Sequence, residues 1–415
     1  MGGLKILIKK ISILFKIFLS LPLYVLSFPI LIILYIIKPW VLVRFNNLQS
    51  SRIGHFTVNT ELYCCKKSLG INQPKQTYID LFYLKDVCNY QVAKMWKRVL
   101  KILPSFLLSP LHNTNQFLSK FIVQFKIHEV ENIHDSDRDI YDLFEKTEPH
   151  LQFTPEEKDH CKREFNNFGL TEKSKFVCLI VRDSAYLNHW IENKDWKYHD
   201  YRNWNINNFV LAAEELTRRG YFVFRMGKKV LQPFPSSNPM IIDYANSDFK
   251  SDFMDIYLGS KCSFCITTGV GYDGIPYIFR RPILWIDVPI YDLPTYSDKF
   301  LLLTKHHIWK KDKRKLTLLE ILSNVPHCFR HQDFDDKGVE LIENSPEEIK
   351  DIVIEMIDRL ERKWLPDKND EILQEKFWKI FLSESLIDLK KKQLHGNIKA
   401  RFGAKFLRDN SAWLK

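Results

Sequence analysis

Glycine is scarce in this chain, 14 of 415 residues, and proline contributes only 18. That composition excludes a collagen-like or low-complexity chain, and no internal repeat marks a solenoid. Cysteine is present without the arrangement of a disulfide framework: Cys64, Cys65, Cys88, Cys161, Cys178, Cys262, Cys265 and Cys328 are scattered along a long chain. The Cys262-Ser-Phe-Cys265 spacing would suit a metal, but no second Cys or His pair lies nearby, so buried thiols in a reducing cytoplasm are expected. Acidic side chains are missing altogether from residues 1–50, which carry Lys5, Lys9, Lys10, Lys16, Lys38 and Arg44. Charge is missing from Ile17 to Ile37, a run of 21 residues.

What is present is globular: 45% apolar and 27% charged residues, with 30 Phe. The length suits two domains, each large enough for a core. The net charge of +11 would suit nucleic acid, but residues 1–50 and 386–415 each carry +6 and leave the middle near neutrality. Basicity at two ends, one beside an apolar run, fits anionic lipid headgroups better than nucleic acid. The run from Ile17 to Ile37 is about 30 Å long as a helix, the thickness of one hydrocarbon core. Lysines ahead of it favour a cytoplasmic N-terminus. Pro22 and Pro29 allow either a kinked spanning helix or a re-entrant hairpin returning to the cytoplasmic face. Lys94 to Pro104 reads either as a helix lying on the membrane or as a core-packed helix.

Past Pro39, Val41–Phe45 reads as a short buried strand, and the chain then turns into Arg52-Ile-Gly-His55. Tyr78–Tyr83 is a second strand, and Thr154-Pro155 opens a helix toward a domain boundary near residue 170. Beyond it, Phe176–Val181, Tyr221–Phe224, Met240–Ile242, Cys262–Thr267 and Ile283–Ile286 alternate with helix-length connections. One of these connections is the helix Ile206–Arg219, which stops at Gly220. That rhythm means a doubly wound parallel sheet, with ligands beyond the carboxyl ends of its strands. The expected division is 1–39 as anchor, 40–170 and 171–365 as two α/β domains, and 366–415 as helices with a basic tail that could pack back on the first domain.

The loop Thr267-Thr268-Gly269-Val-Gly271-Tyr272-Asp273-Gly274 leaves a strand, and its glycines and hydroxyls suit a diphosphate. Arg182, Arg202, Arg225 and Gly227 stand at strand ends or in the connection between strands, where guanidinium groups can fork onto phosphate oxygens. Asp183 reads as a structural partner for an arginine. In the first domain, His55 or Glu61 could serve as base for an acceptor hydroxyl, with Arg52 and Asn59 as acceptor contacts. Asp135, Asp137 and Asp139 offer paired carboxylates, yet no apolar strand leads into them, and neither metal nor cofactor is expected. Glu343 stands just before a capping box, Ser345 to Glu348, and could reach a ribose.

Five segments together resemble a family of glycosyltransferases from bacterial surface-polysaccharide loci: Ser51-Arg-Ile-Gly-His-Phe, Asn59-Thr-Glu-Leu-Tyr63, Val181-Arg-Asp-Ser-Ala-Tyr186, Tyr201-Arg-Asn-Trp204 and Phe224-Arg-Met-Gly227. The closing Ala400–Asn410 is similar to that family too. More distantly, the C-terminal half is similar to fucosyltransferases whose strand-end arginine holds the donor phosphate. Arg182 matches that arginine, although Ile180 stands where the usual histidine would be. The resemblance implies a GT-B fold with two Rossmann-like domains and a nucleotide-sugar donor. The N-terminal membrane-embedded segment and the basic ends add the expectation of a lipid-linked saccharide acceptor and a place at the cytoplasmic face of a bacterial inner membrane. An epimerase of the same fold and a non-catalytic nucleotide-binding subunit are the other readings.

Overall fold

The computed structural model describes residues 21–130, 137–171, 173–190, 195–286, 290–326, 328–383 and 395–415. It divides into two compact units, Met1–Asp137 with His150–Gln152, and Arg138–Pro149 with Phe153–Lys415.

In the first unit, residues 21–37 form helix α1, which continues through Pro29 without turning back. Residues 17–20 of the expected membrane segment lie outside the described residues. Among the described residues no helix is long and apolar enough to cross a membrane. One stripe of α1, Tyr24, Ser27, Leu31 and Leu34, is buried or half-buried at helical spacing. Leu31 joins Phe45, Tyr83, Leu108 and Phe125 in a single apolar core.

Strand β1 (Leu42–Leu48) pairs in parallel with β2 (Tyr78–Leu84). Single bridges from Phe45 to Glu129 and from Phe82 to Ile102 widen this small sheet. Across it the Arg44 guanidinium donates to the Asp80 carboxylate at 2.7 and 3.0 Å, neutralising both charges in the interior. Helix α2 (Ile53–Ser68) follows β1 and is buried over most of its length. Helix α3 (Tyr90–Val99) turns Val92, Met95 and Trp96 inward and leaves Lys94 and Lys97 exposed. Of the two readings for Lys94–Pro104, the helical part is therefore core-packed. Helix α4 (Ser105–Leu118) and a 3-10 turn, Val123–His128, complete the unit.

The second unit holds a seven-stranded sheet in the order β11-β8-β7-β6-β3-β4-β5. Its strands are β3 (Phe176–Ile180), β4 (Phe222–Arg225), β5 (Ile241–Ile242), β6 (Phe264–Thr267), β7 (Ile283–Ile286), β8 (Phe300–Leu303) and β11 (Arg401–Phe402). Every pairing is parallel. A separate antiparallel pair joins β9 (His306–Trp309) to β10 (Val339–Ile342). From β3 the chain builds outward through β4 and β5, then returns to β6 on the other side of β3 and continues through β7 and β8. The order reverses between β3 and β6, and a crevice opens at such a switch point in a doubly wound sheet. The described residues of 366–415 complete this sheet: β11 pairs with β8, and Gln374 of the helix Asp370–Phe381 accepts from the Phe402 backbone at 3.1 Å. An apolar sheet edge is thereby covered from within the second unit.

All eight cysteines are free; seven are buried and Cys88 is half-buried. Burial pushes the thiols of Cys178 and Cys265 well up, as expected for packed side chains without a reactive role.

Candidate functional site

The switch point fixes which loops can meet a ligand in the second unit: the one after β3, carrying Arg182, and the one after β6, carrying Thr268 to Gly274. They are tied directly. The Arg182 backbone N–H donates to Thr268 Oγ1 at 2.8 Å, and the Thr268 N–H reaches the Ile180 carbonyl at 3.3 Å. The Arg182 carbonyl accepts from the Trp204 N–H at 3.0 Å, which draws in the turn Tyr201-Arg202-Asn203-Trp204. From that turn the Arg202 guanidinium donates to the Gly269 carbonyl. Gly269 has φ +74, a left-handed backbone that a side chain would strain, so its carbonyl can face the arginine. Arg182, Arg202, Thr268 and Gly269, distant in sequence, thus form one cluster, with both arginines half-buried.

The post-β6 loop spends its own amides differently from the open cradle its glycines suggest. Gly269 N–H donates to Thr267 Oγ1 at 3.1 Å, and Val270 N–H to the Asp273 carboxylate at 2.9 Å. Thr267 also donates to Asp273, at 3.3 Å. Thr267 and Asp273 therefore hold the loop's shape. Beside this loop, the Arg202 guanidinium and the Thr268 hydroxyl are groups of the kind an anion takes. Gly271 is exposed and Gly274 buried in the helix Gly274–Ile278.

Three expected donor contacts lie elsewhere. Arg225 is 1% exposed and donates to Asp243 at 3.0 Å, while Asp243 also accepts from Phe234 N–H and the Asn246 side chain. A buried guanidinium committed to one carboxylate braces loops and has little to offer a ligand. A Cβ on Gly227 would come within 2.6 Å of Val230, so this glycine serves a close backbone approach. The Tyr272 hydroxyl donates to the Asp255 carbonyl at 3.0 Å beneath the loop, and burial raises its pKa. Asp183, read from the sequence as a partner for an arginine, instead accepts from the Ala185 and Leu231 backbone N–H groups, both at 2.9 Å. Glu343 accepts from Asn205 N–H and from Asn208, at 2.7 Å for the latter, so its carboxylate fastens two segments together.

Lys305, just beyond β8, escaped the sequence reading. It is buried, donates to the carbonyls of Tyr201 and Asn203 at 3.1 and 2.8 Å, and lies 4.8 Å from the Trp204 ring centroid. It positions the turn that presents Arg202. The apolar run Phe300–Leu303 ending in Thr304-Lys305 was the available signal. Beside it, burial pulls the His307 imidazole down to about 4.

In the first unit, α2 carries all four expected residues. Arg52 is exposed at its start, and His55 is half-buried with Nδ1 3.3 Å from Asn59 Oδ1 and 4.0 Å from the Asp137 carboxylate. Asn59 is buried, and its Nδ2 has no partner among the described residues. Glu61 is fully buried and accepts from the backbone and ring N–H of His150, the latter at 3.2 Å. Six residues along a helix is about 1.7 turns, so Glu61 and His55 occupy different faces. Glu61 is thereby removed as a base: it tethers His150–Gln152 to its own unit. Its oxygen, Cys65 Sγ and a His150 ring nitrogen lie within 4.8 Å of one another, a set able to hold a metal ion. His150 Nε2 already meets Ser68 Oγ at 2.8 Å. Of the acidic triplet, Asp135 lies outside the described residues, and Asp139 caps Leu143 and Phe144 N–H groups at 2.8 and 2.7 Å.

The fold defines an α/β protein with a switch point in a doubly wound sheet, and this cluster lies at it. No protein-family model matches the chain, and no curated protein matches it. Solved structures similar to it include ADP-heptose LPS heptosyltransferase II of E. coli, with 12% identity and TM-score 0.37 over 63% of this chain and 90% of that one. A glycosyl transferase of family 9 from Veillonella parvula gives 11% identity and TM-score 0.38, over 63% and 86%. The iron-containing dodecameric glycosyltransferase TibC of enterotoxigenic E. coli gives 12% and 0.34, over 78% and 76%.

Proposed function

We propose that the protein is a glycosyltransferase of the GT-B type that takes its sugar from a nucleotide donor. The observation that carries this reading is the cluster at the β3/β6 switch point, where the Arg182 backbone, the Arg202 guanidinium and the Thr268 hydroxyl meet around a loop pinned by Gly269. Two guanidinium groups and a hydroxyl at the carboxyl ends of parallel strands suit a diphosphate, which they would neutralise as the leaving group departs. His55, held by Asn59 on α2, is the candidate base for the acceptor hydroxyl, and Arg52 a candidate acceptor contact. The acceptor is a lipid-linked saccharide, and the chain works at the cytoplasmic face of a bacterial inner membrane. The apolar run 17–37 and its flanking lysines support that placement.

The test is a panel of GDP-, UDP-, dTDP-, CMP- and ADP-sugars incubated with detergent-solubilised protein, followed by thermal shift and nucleotide release with and without EDTA. Stabilisation by one nucleotide family, with release of that nucleotide, identifies the donor class. Binding without release, whatever lipid-linked acceptor is supplied, would sink the transferase reading in favour of a nucleotide-binding subunit.

A further inference from the structure

The first unit leaves an unusual amount of apolar side chain in the open, and the exposure is gathered in two adjoining places. The first is α1: apart from the stripe packed on the core, its apolar side chains face outward, Val25, Phe28, Ile32, Ile33 and Ile36 among them. The second lies on α4 and the segment after it, where Phe106, Leu107, Phe117, Phe121, Ile122 and Val123 are exposed, Phe121 to 74%. These are contiguous. Asn113 of α4 donates to the Tyr24 hydroxyl at 2.9 Å, the Tyr35 and Phe125 rings lie 5.6 Å apart, and Phe117 packs edge-on against Phe121 at 5.3 Å. Isolated exposed apolar residues are ordinary, but a patch of this extent built from two sequence-distant segments marks an interaction surface.

Charge identifies the partner. Residues 87–128 contain Lys94, Lys97, Arg98, Lys101, Lys120 and Lys126 with no Asp or Glu, and residues 1–50 are equally free of acid. Lys101, Lys120 and Lys126 are exposed in the same stretch as the apolar side chains. Bulky apolar groups interleaved with lysines match an anionic bilayer surface, where the former enter the acyl boundary and the latter meet headgroup phosphates. We infer that α1, α4 and the 119–127 segment form one monotopic membrane-docking face, with α1 lying along the bilayer surface as part of the unit. The packed stripe of α1 favours this: a helix sharing a core with Phe45 and Leu108 through Leu31 cannot also be surrounded by lipid. The inference rests on the membrane placement proposed above and adds the surface that makes the contact.

The experiment reconstitutes the full-length chain in phosphatidylglycerol/phosphatidylcholine nanodiscs containing a photoactivatable phospholipid, and maps lipid adducts by mass spectrometry. Adducts are expected on peptides covering 103–108 and 117–127 as well as 21–37. They should fall roughly tenfold on 117–127 in a Phe121→Asp/Val123→Asp variant, whose positions are exposed. Adducts confined to 21–37 would overturn the docking face while leaving membrane placement intact. Adducts nowhere on the chain would remove the membrane placement as well. Equal labelling around the exposed Leu365 of the second unit would show non-specific capture and likewise overturn it, as would a dimer that shields 103–127 from lipid.

Discussion

Arg202→Ala separates two jobs that the structure gives one guanidinium. Its bond to the Gly269 carbonyl joins the 201–204 turn to the post-β6 loop. A hydrogen bond from a charged group contributes about 1.5–3 kcal/mol, and half-burial places this one near the lower end. Losing about 1.5 kcal/mol should lower the melting temperature of a unit of this size by about 3–6 °C. The second job is donor binding. Losing one charged contact to a diphosphate should cost a further 1.5–3 kcal/mol or so, about 10- to 150-fold in Kd. Isothermal titration with the nucleotide selected by the panel, performed well below the melting transition, reads the second effect without the first. Arg202→Lys should recover part of the affinity, because charge is kept while the fork is lost. A lowered melting temperature with unchanged Kd would refute the reasoning and make Arg202 a loop brace only.

Three further outcomes are expected. His55→Ala should lower turnover by about 10²- to 10⁴-fold with donor Kd little changed, and an unaffected rate in a stopped-time assay removes His55 as base. Glu61→Ala, which takes the carboxylate from the half-buried N–H groups of His150, should cost about 1–3 kcal/mol in urea denaturation and leave turnover intact where the protein is folded. His307, held neutral by burial with a pKa of about 4, binds a proton less readily folded than unfolded. Its contribution is fully present above pH 6.5 and is lost as pH falls toward 4, by roughly 3 kcal/mol at most. Stability measured against His307→Asn should show that slope in the wild type only; parallel curves would mean that His307 is not protected from protons. Asp255, whose carboxyl burial raises to about 6, contributes an opposite slope in both proteins and cancels in the difference.

The second unit's centre was legible because parallel strands buried on both faces are written as continuous apolar runs, as in Phe176–Ile180 and Ile283–Ile286. Capping chemistry was equally readable: Thr154 caps the helix that Pro155 opens, and Ser345 with Glu348 forms the expected box. The edges were not. β11 has two residues, Arg401–Phe402, and is a strand only because β8 lies beside it. In the first unit, Glu129 and Ile102 widen the sheet through single bridges that leave no periodic trace.

At the site, proximity to a strand end singled out both Arg182 and Arg225, and only the fold tells them apart, because Arg225 is bonded to Asp243, eighteen residues later. Glu61 was misjudged because α2 also buries Thr57, Asn59 and Thr60, so polarity alone hides which face is inside.

Hydrogen–deuterium exchange, with and without the nucleotide that the panel selects, tests the central claim most directly. Protection is expected in peptides covering 178–184, 200–205 and 265–274, and its loss in the Arg182→Ala variant. Protection confined to other segments, or no change in these three while the nucleotide is bound, would contradict it.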